Sequence, residues 1–326
     1  MEHNQEREHM LDYFLWSVAF AATVTGMTLP TTIETEYYVP PTFTVDNELE
    51  LGVLPAIKLK QTPRKLDFEW GPNITSRAAL VMDESTGKIL WQKNEDTKMP
   101  IASITKLMTV TVVNDYIKDW EETYEMQPKE NWLIGARFAA GNGDSFTKED
   151  ILKTTLIASA NNAAAALAHS TGLEQDEFVV KMNEKADALG MMNSEFEDPT
   201  GLELGNQSTV KDLAILLRSV VRDDKFLEAM GQPEHKMTRQ NEGVDHPEIT
   251  VSTTNRLIKE GDPRVLAGKT GFTYEAGHCL ATLATNDDGN RIVVILLGGP
   301  DATTRFEETQ ELITWAYDNY SWDTAL

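Results

Sequence analysis

The sequence predicts a mixed α/β (α+β) fold, with an antiparallel sheet assembled from N- and C-terminal strands of one domain and a helical subdomain inserted between them. Three observations point that way. A strand–turn–strand pattern opens the domain near residue 77, an alanine-rich helical tract fills its middle, and two apolar runs joined by a turn precede a last helix. Strands grouped at the ends and helices grouped between them favour segregated layers over an alternating parallel sheet.

The elements follow in order. "RAALVMDESTGKILWQKN" is an apolar run, a turn at Asp83 to Gly87 and a second run, which together read as a β-hairpin. Ser103 to about Ile117 has a helical pattern. "TKEDILKTTLIASANNAAAALAHS" (147–170) begins with Thr147 as a cap and Asp150 at the capping-box position. Its alanine-rich second half is strongly helix-forming. A break is expected at Asn161-Asn162, because asparagine favours turns over helix interiors. Further helices are expected at 175–189 and 209–222, the latter capped by Ser208. "AGHCLATLAT" and "RIVVILLGG" then flank "NDDGN", a strong hairpin turn, before a final helix at about 303–317.

Ahead of this domain (76–326) lie a polar segment (1–12), an uncharged stretch (13–29) ended by Pro30, and a Pro/Thr-rich linker (30–75) in which "ELELGVLPAIKLK" reads as a short strand. Residues 13–29 sit at the lower limit for a spanning helix, where about 20 residues are usual. A transmembrane anchor or export signal is expected there, an ordinary core or surface helix being the alternative. Arg7 lies on its N-terminal side and the first basic residue beyond it is Lys58, which predicts N-in, C-out.

Composition narrows the function. The chain carries 52 acidic and 29 basic side chains, a formal charge of -23, and no basic block, so nucleic acid is excluded as a partner. The single cysteine, Cys279, allows no intrachain disulfide and reads as a buried strand residue. The histidines form no ligand spacing, so neither a metal nor another cofactor is expected.

The S-x-x-K spacing occurs four times, at Ser85/Lys88, Ser103/Lys106, Ser145/Lys148 and Ser208/Lys211. The first spans a hairpin turn, the third leads into the Thr147 helix, and the fourth is a cap followed by a solvated lysine. Only Ser103 and Lys106 lie where an apolar helix starts. Positions i and i+3 share a helix face, so the lysine can reach the hydroxyl. The helix N-terminus can also stabilise an oxyanion. To act as a base Lys106 must lose its charge, which burial and a second cation would promote. A capping serine with an exposed lysine is the plain alternative. Two later segments matter here. Ser159-Ala160-Asn161 places a hydroxyl and an amide at a helix break, or else merely caps two helices. Lys269-Thr270-Gly271 offers a cation and a hydroxyl to a carboxylate, with a glycine for close approach, or else forms a loop between strands.

The order S-x-x-K, S-x-N, K-T-G is the signature set of penicillin-binding proteins and serine β-lactamases. From about Arg77 to Tyr317 the chain resembles the bacterial serine-type D-Ala-D-Ala carboxypeptidases, the low-molecular-mass penicillin-binding proteins. "AALVMDESTGKILWQKNEDTKMPIASITKLMT", "GDSFTKEDILKTTLIASANNAAAALA", "DPTGL", "STVKDLAILLR", "TNRLI" and "AGKTGFTYEAGHCLA" carry the resemblance. It implies a β-lactamase/transpeptidase-like fold and removal of the terminal D-alanine from peptidoglycan pentapeptides through an acyl-enzyme. β-Lactam antibiotics would act as covalent inhibitors. It further implies an exported enzyme at the extracytoplasmic face of the membrane, tethered by or secreted through residues 13–29.

By position, Ser103 would be the nucleophile, Lys106 its base and Ser159 a proton relay. Asn161 would hold the substrate backbone, while Lys269 and Thr270, beside Gly271, would bind the terminal carboxylate. The Ser103 and Phe272 amides would form the oxyanion hole, with Arg305 a weaker match for carboxylate recognition. Asn162 departs from the aspartate common at that place. A serine β-lactamase is the alternative of the same fold, but no E-x-x-L-N segment lies between Asn161 and Lys269. A D,D-endopeptidase also fits. The non-enzymatic alternative, a membrane-tethered cell-wall-binding protein, is hard to square with intact motifs.

Overall fold

The computed structural model describes residues 62–66, 71–241 and 248–322. The expected segment at 13–29 and the short strand after it lie outside these residues. Among the described residues, no helix is long and apolar enough to cross a membrane.

The core of the fold is an antiparallel five-stranded sheet of β1 (Ala78–Asp83), β2 (Ile89–Lys93), β3 (Val265–Thr273), β4 (Gly277–Thr285) and β5 (Arg291–Gly299). Their order is β3-β4-β5-β1-β2, so the first hairpin joins the late strands as expected, with β1 paired to β5 from Ala78↔Leu297 to Asp83↔Ile292. Strand periodicity explains why β1 is apolar from Ala78 to Met82 and β5 from Ile292 to Leu297. Ala78, Leu80, Met82, Val293, Ile295 and Leu297 enter one hydrophobic cluster, while Ala79, Val81, Ile292, Val294 and Leu296 enter another. A sheet covered on both faces needs both sets of alternate positions apolar.

The longer inserted helices are α1 (Lys106–Tyr116), α2 (Lys148–Ile157), α3 (Asn161–His169), α4 (Gln175–Leu189), α5 (Val210–Val220) and α6 (Asp224–Gly231); α7 (Thr304–Asn319) is C-terminal. Helix α5 packs its Leu213, Ala214 and Leu217 into the first cluster, and α7 packs Phe306, Leu312, Ile313 and Ala316 into the second. The sheet therefore lies between the helical subdomain and α7. Pairing also reaches ahead of Ser76. Arg64 and Lys65 pair with Ser321 and Tyr320, and Glu308 of α7 accepts from the Thr75 and Ser76 hydroxyls.

Two local expectations need correcting. Thr209, not Ser208, caps α5, its hydroxyl accepting from Asp212 N at 3.1 Å; Ser208 instead pairs with Met99 in a short bridge of strands. The helix break falls at Ala158 to Ala160, ahead of the asparagines, because Ser159 takes a left-handed conformation (φ 57°) and Asn161 opens α3.

Candidate active site

Ser103 sits in a 3-10 turn, Ala102–Thr105, that leads directly into α1. The turn is held tightly. Ala102 itself has φ 47°, an unfavourable region for a residue with a Cβ. A Cβ on Gly201 would come within 2.1 Å of Ala102 O, and one on Gly271 within 2.9 Å of Ile101 O and 3.2 Å of Ser103 N. Both glycines let neighbouring main chain close on the serine.

Lys106, the first residue of α1, is fully buried. Its Nζ lies 2.8 Å from Ser103 Oγ, 2.7 Å from Asn161 Oδ1 and 2.6 Å from Thr200 O. Burial lowers its pKa to about 7, against the opposing pull of Asp198. A neutral amine has two N–H groups and one lone pair. The Asn161 and Thr200 oxygens can only accept, so they take the two N–H groups and the lone pair is left facing the Ser103 hydroxyl. In that state the geometry is that of a base poised on its nucleophile.

Ser159 and Asn161 come from the break between α2 and α3. The left-handed turn at Ser159 brings its Oγ to 2.6 Å from Lys269 Nζ on β3. Asn161 is pinned by donating its amide N–H to Ala136 O and its Nδ2 to Ile134 O, both at 2.7 Å. Asn162 straps the same loop, accepting from Phe138 N at 3.2 Å and donating to Phe138 O and Asn131 Oδ1 at 3.1 Å. An aspartate there could not donate to that carbonyl. The departure from the family pattern is therefore an integrated part of the loop.

Lys269 is as buried as Lys106, and its Nζ also donates to Thr270 O at 3.0 Å. Burial leads in pushing its pKa well below the usual lysine value, with further repulsion from Lys106 and Arg305. Desolvation is the leading cause on both lysines, and the two cations, buried in one site, repel each other. Thr270 shares a 2.5 Å hydroxyl contact with Thr254. Phe272, the half-exposed residue after Gly271, stacks on His278 with ring centroids 4.3 Å apart.

Arg305 is buried at the start of α7, and its Nη1 donates to Gly271 O at 3.0 Å and Cys279 O at 3.3 Å. Cys279 is fully buried in β4, and burial pushes its thiol up to about 11, so it is an inert packing group. The other three S-x-x-K lysines serve other partners: Lys88 reaches Pro63 O, Lys148 pairs with Glu122, and Lys211 faces Asp96.

Asp198 is absent from the expected site residues. Asp198, in "DPTGL", accepts from the Thr200, Gly201 and Glu203 amides at 2.8, 3.0 and 3.2 Å, and so shapes the loop that offers Thr200 O to Lys106. Asp-Pro followed by Gly marks a turn, but nothing in a sequence says that a carbonyl within it meets a lysine.

A buried serine–lysine pair, a second serine–lysine pair and an antiparallel sheet flanked by helices define a serine acyl-transfer enzyme of the penicillin-binding kind. Its overall architecture is shared by solved structures. A Streptomyces DD-transpeptidase superposes with a TM-score of 0.73 at 23% identity over 77% of this chain and all of that one. A D-alanyl-D-alanine carboxypeptidase from Mycobacterium tuberculosis does so at 0.69 and 24%, over 78% of this chain and 96% of that one. Among sequence relatives, a D-alanyl-D-alanine endopeptidase of Pseudomonas aeruginosa is 34% identical over 82% of this chain and 85% of its own length. The carboxypeptidase DacF of Bacillus subtilis is 30% identical over 75% of this chain and 63% of its own. The D-alanyl-D-alanine carboxypeptidase family profile matches residues 66–301, and the chain belongs to that family. It is a serine peptidase, and enzymes of this family act on the cell wall outside the cytoplasm.

Proposed function

We propose that the enzyme removes the terminal D-alanine of peptidoglycan stem peptides by acylation of Ser103, with neutral Lys106 as the base. The observation that carries this reading is the Lys106 amine, with both N–H groups engaged by carbonyl oxygens and its lone pair facing Ser103 Oγ at 2.8 Å. Lys106 takes the hydroxyl proton as Oγ attacks the carbonyl of the penultimate D-alanine. The Ser103 and Phe272 amides receive the developing oxyanion. Ser159, hydrogen-bonded to Lys269, relays that proton from Lys106 to the departing amine as the C–N bond breaks, which leaves Lys106 neutral again. Water then hydrolyses the ester and returns the proton to the serine. Lys269 and Thr270 hold the terminal carboxylate, and Asn161 the peptide backbone. A β-lactam enters the same path and remains as the ester. Residues 13–29 tether the enzyme to the membrane or direct its export.

Labelling with a fluorescent penicillin and mapping the modified peptide tests the nucleophile. Label on Ser103, and none on the Ser103→Ala protein, is expected; equal labelling of both would overturn the reading. Acylation is also expected to follow pH. Lys106 works in its neutral form and its pKa is lowered to about 7, so the acylation rate rises through about pH 7 and levels off above it. A rate that falls over that interval would remove Lys106 from the base role.

A second reading has its own support. The relatives from Pseudomonas aeruginosa and Escherichia coli, 34% and 32% identical, are named D-alanyl-D-alanine endopeptidases. Comparing D-alanine release from a pentapeptide with cleavage of a cross-linked stem-peptide dimer separates the two activities.

A further inference from the structure

Exposed apolar side chains are ordinary when scattered singly and informative when they gather beside a site. Among the described residues, Trp132 and Ile134 are 76% and 74% exposed, and Phe272 and Tyr274 are 47% and 93% exposed. The first pair lies in the segment fastened to Asn161. The second lies at the end of β3 that follows Lys269 and Thr270. The two pairs therefore border the site from the helical subdomain and from the sheet.

Both are carried on braced main chain. Asn131 Oδ1 accepts from Asn162 Nδ2 at 3.1 Å, and Ile134 O accepts from Asn161 Nδ2 at 2.7 Å, ties that lie on either side of Trp132. Just ahead of them, buried Glu130 accepts from Tyr124 Oη at 2.5 Å and from Gln127 N at 2.8 Å. The β3–β4 turn is held likewise. Arg77 Nη2 donates to Glu275 O and Ala276 O, both at 2.9 Å, and Ala276 N donates to Thr273 Oγ1 at 3.1 Å. On that turn the Tyr274 ring meets the Phe272 ring edge-on, with centroids 5.6 Å apart. Aromatic surface presented to water by braced turns gives the free protein little, but it is preorganised for a ligand.

The direction of the substrate decides which part meets it. In the proposed reaction Lys269 and Thr270 hold the terminal carboxylate, and the Phe272 amide takes the oxyanion formed from the scissile carbonyl. Passing along β3 from residue 270 to 272 thus runs from the leaving group to the acyl group, and Tyr274 lies one step further on. Asn161, which holds the peptide backbone, stands beside Trp132 and Ile134. The residues that precede the penultimate D-alanine therefore leave the site between the two pairs. A penicillin carries its acylamino side chain on the same side of its reactive carbonyl.

We infer that Trp132 and Ile134, with Phe272 and Tyr274 facing them, form a subsite for the acyl half of the substrate, taking up methylene and other apolar groups of the stem-peptide residues before the penultimate D-alanine. The inference rests on the acyl-enzyme reading above and adds the part of the substrate that the rim selects.

Trp132→Ala and Tyr274→Ala are compared with wild type and with Val180→Ala, which trims an exposed apolar side chain on α4. Two pairs of probes are used. One sets the full stem pentapeptide against acetyl-D-Ala-D-Ala. The other sets benzylpenicillin against 6-aminopenicillanic acid, which has an amine in place of the phenylacetamido side chain. Each rim variant should lose about fivefold to tenfold in kcat/KM for the pentapeptide and in acylation by benzylpenicillin, with a change below about twofold for the short probes, as the loss of one aromatic contact implies. Val180→Ala should alter neither. The replaced side chains are exposed, so melting temperatures should stay near wild type.

Equal losses for long and short probes would mean that the variants disturb the catalytic groups themselves, and would overturn the proposal. Rim variants that keep the wild-type preference for the long probes would overturn it as well. A wild type that forms no ester on Ser103 removes the acyl-enzyme reading and the proposal with it, and the missing label on the unaltered protein tells that failure from the other two.

Discussion

Lys106→Met is expected to lower the rate of Ser103 acylation by about a thousandfold, within the range that a general base contributes, while leaving the protein folded. Two effects on stability oppose each other. Methionine fills nearly the same space and removes an amine whose burial already holds its pKa near 7. It also strips Asn161 Oδ1 and Thr200 O of their donor, and an unsatisfied buried acceptor costs about 1–3 kcal/mol. The net change should stay within about 2 kcal/mol, so the variant melts cooperatively near wild type. Stopped-flow acylation by a penicillin, beside a thermal melt, gives both quantities. Acylation of the methionine variant at the wild-type rate would exclude the lysine as base. The stability side is also pH-dependent. In the unfolded chain the lysine holds its proton up to its ordinary value of 10.5, while in the folded protein it loses it near 7. The unfolded state thus binds more protons between these values, and wild-type stability rises with pH across that window. That rise should be smaller in the methionine variant.

Lys106 also shows which parts of the site a sequence can display. Its relation to Ser103 was legible because helical spacing fixes which side chains share a face, and the strands around Lys269 were legible from their apolar periodicity. Thr200 O, Ile134 O and Ala136 O were not, because every residue carries a carbonyl and only the folded path says which one meets Lys106 or Asn161. The helix break was placed at the asparagines because they disfavour helix interiors. The structure puts it at Ser159, whose left-handed conformation no propensity scale assigns to serine. Arg305 entered only as a weaker match for carboxylate recognition. Its Nη1 meets two main-chain oxygens, again a kind of contact that residue identity does not encode. The fold followed from side-chain pattern, and what sequence alone concealed was main chain acting on side chain.

Gly201 gives that conclusion its sharpest test. It follows Thr200 in the loop shaped by Asp198, has φ +84°, and approaches the nucleophile's turn so closely that an added Cβ would lie 2.1 Å from Ala102 O and 3.0 Å from Ser103 N. Gly201→Ala therefore carries two penalties. The left-handed backbone alone costs an alanine about 1–2 kcal/mol. The clash falls on main chain, which cannot swing aside as a side-chain tip can, and overpacking of this kind adds about 1–3 kcal/mol. Relief requires the Ala102–Ser103 peptide to move, and that peptide carries one of the two amides assigned to the oxyanion. A displacement of that order costs about a hundredfold in rate. Gly172 supplies the control: it has φ +81° but no heavy atom within 4 Å of its added Cβ, so Gly172→Ala bears the backbone penalty alone. Gly172→Ala should lose about 1–2 kcal/mol of stability and acylate at the wild-type rate. Gly201→Ala should lose more and acylate about a hundredfold more slowly. If the two variants behave alike in acylation, the close approach of Gly201 does not set the position of Ser103, and the loop's influence on the site is confined to the carbonyl it lends to Lys106.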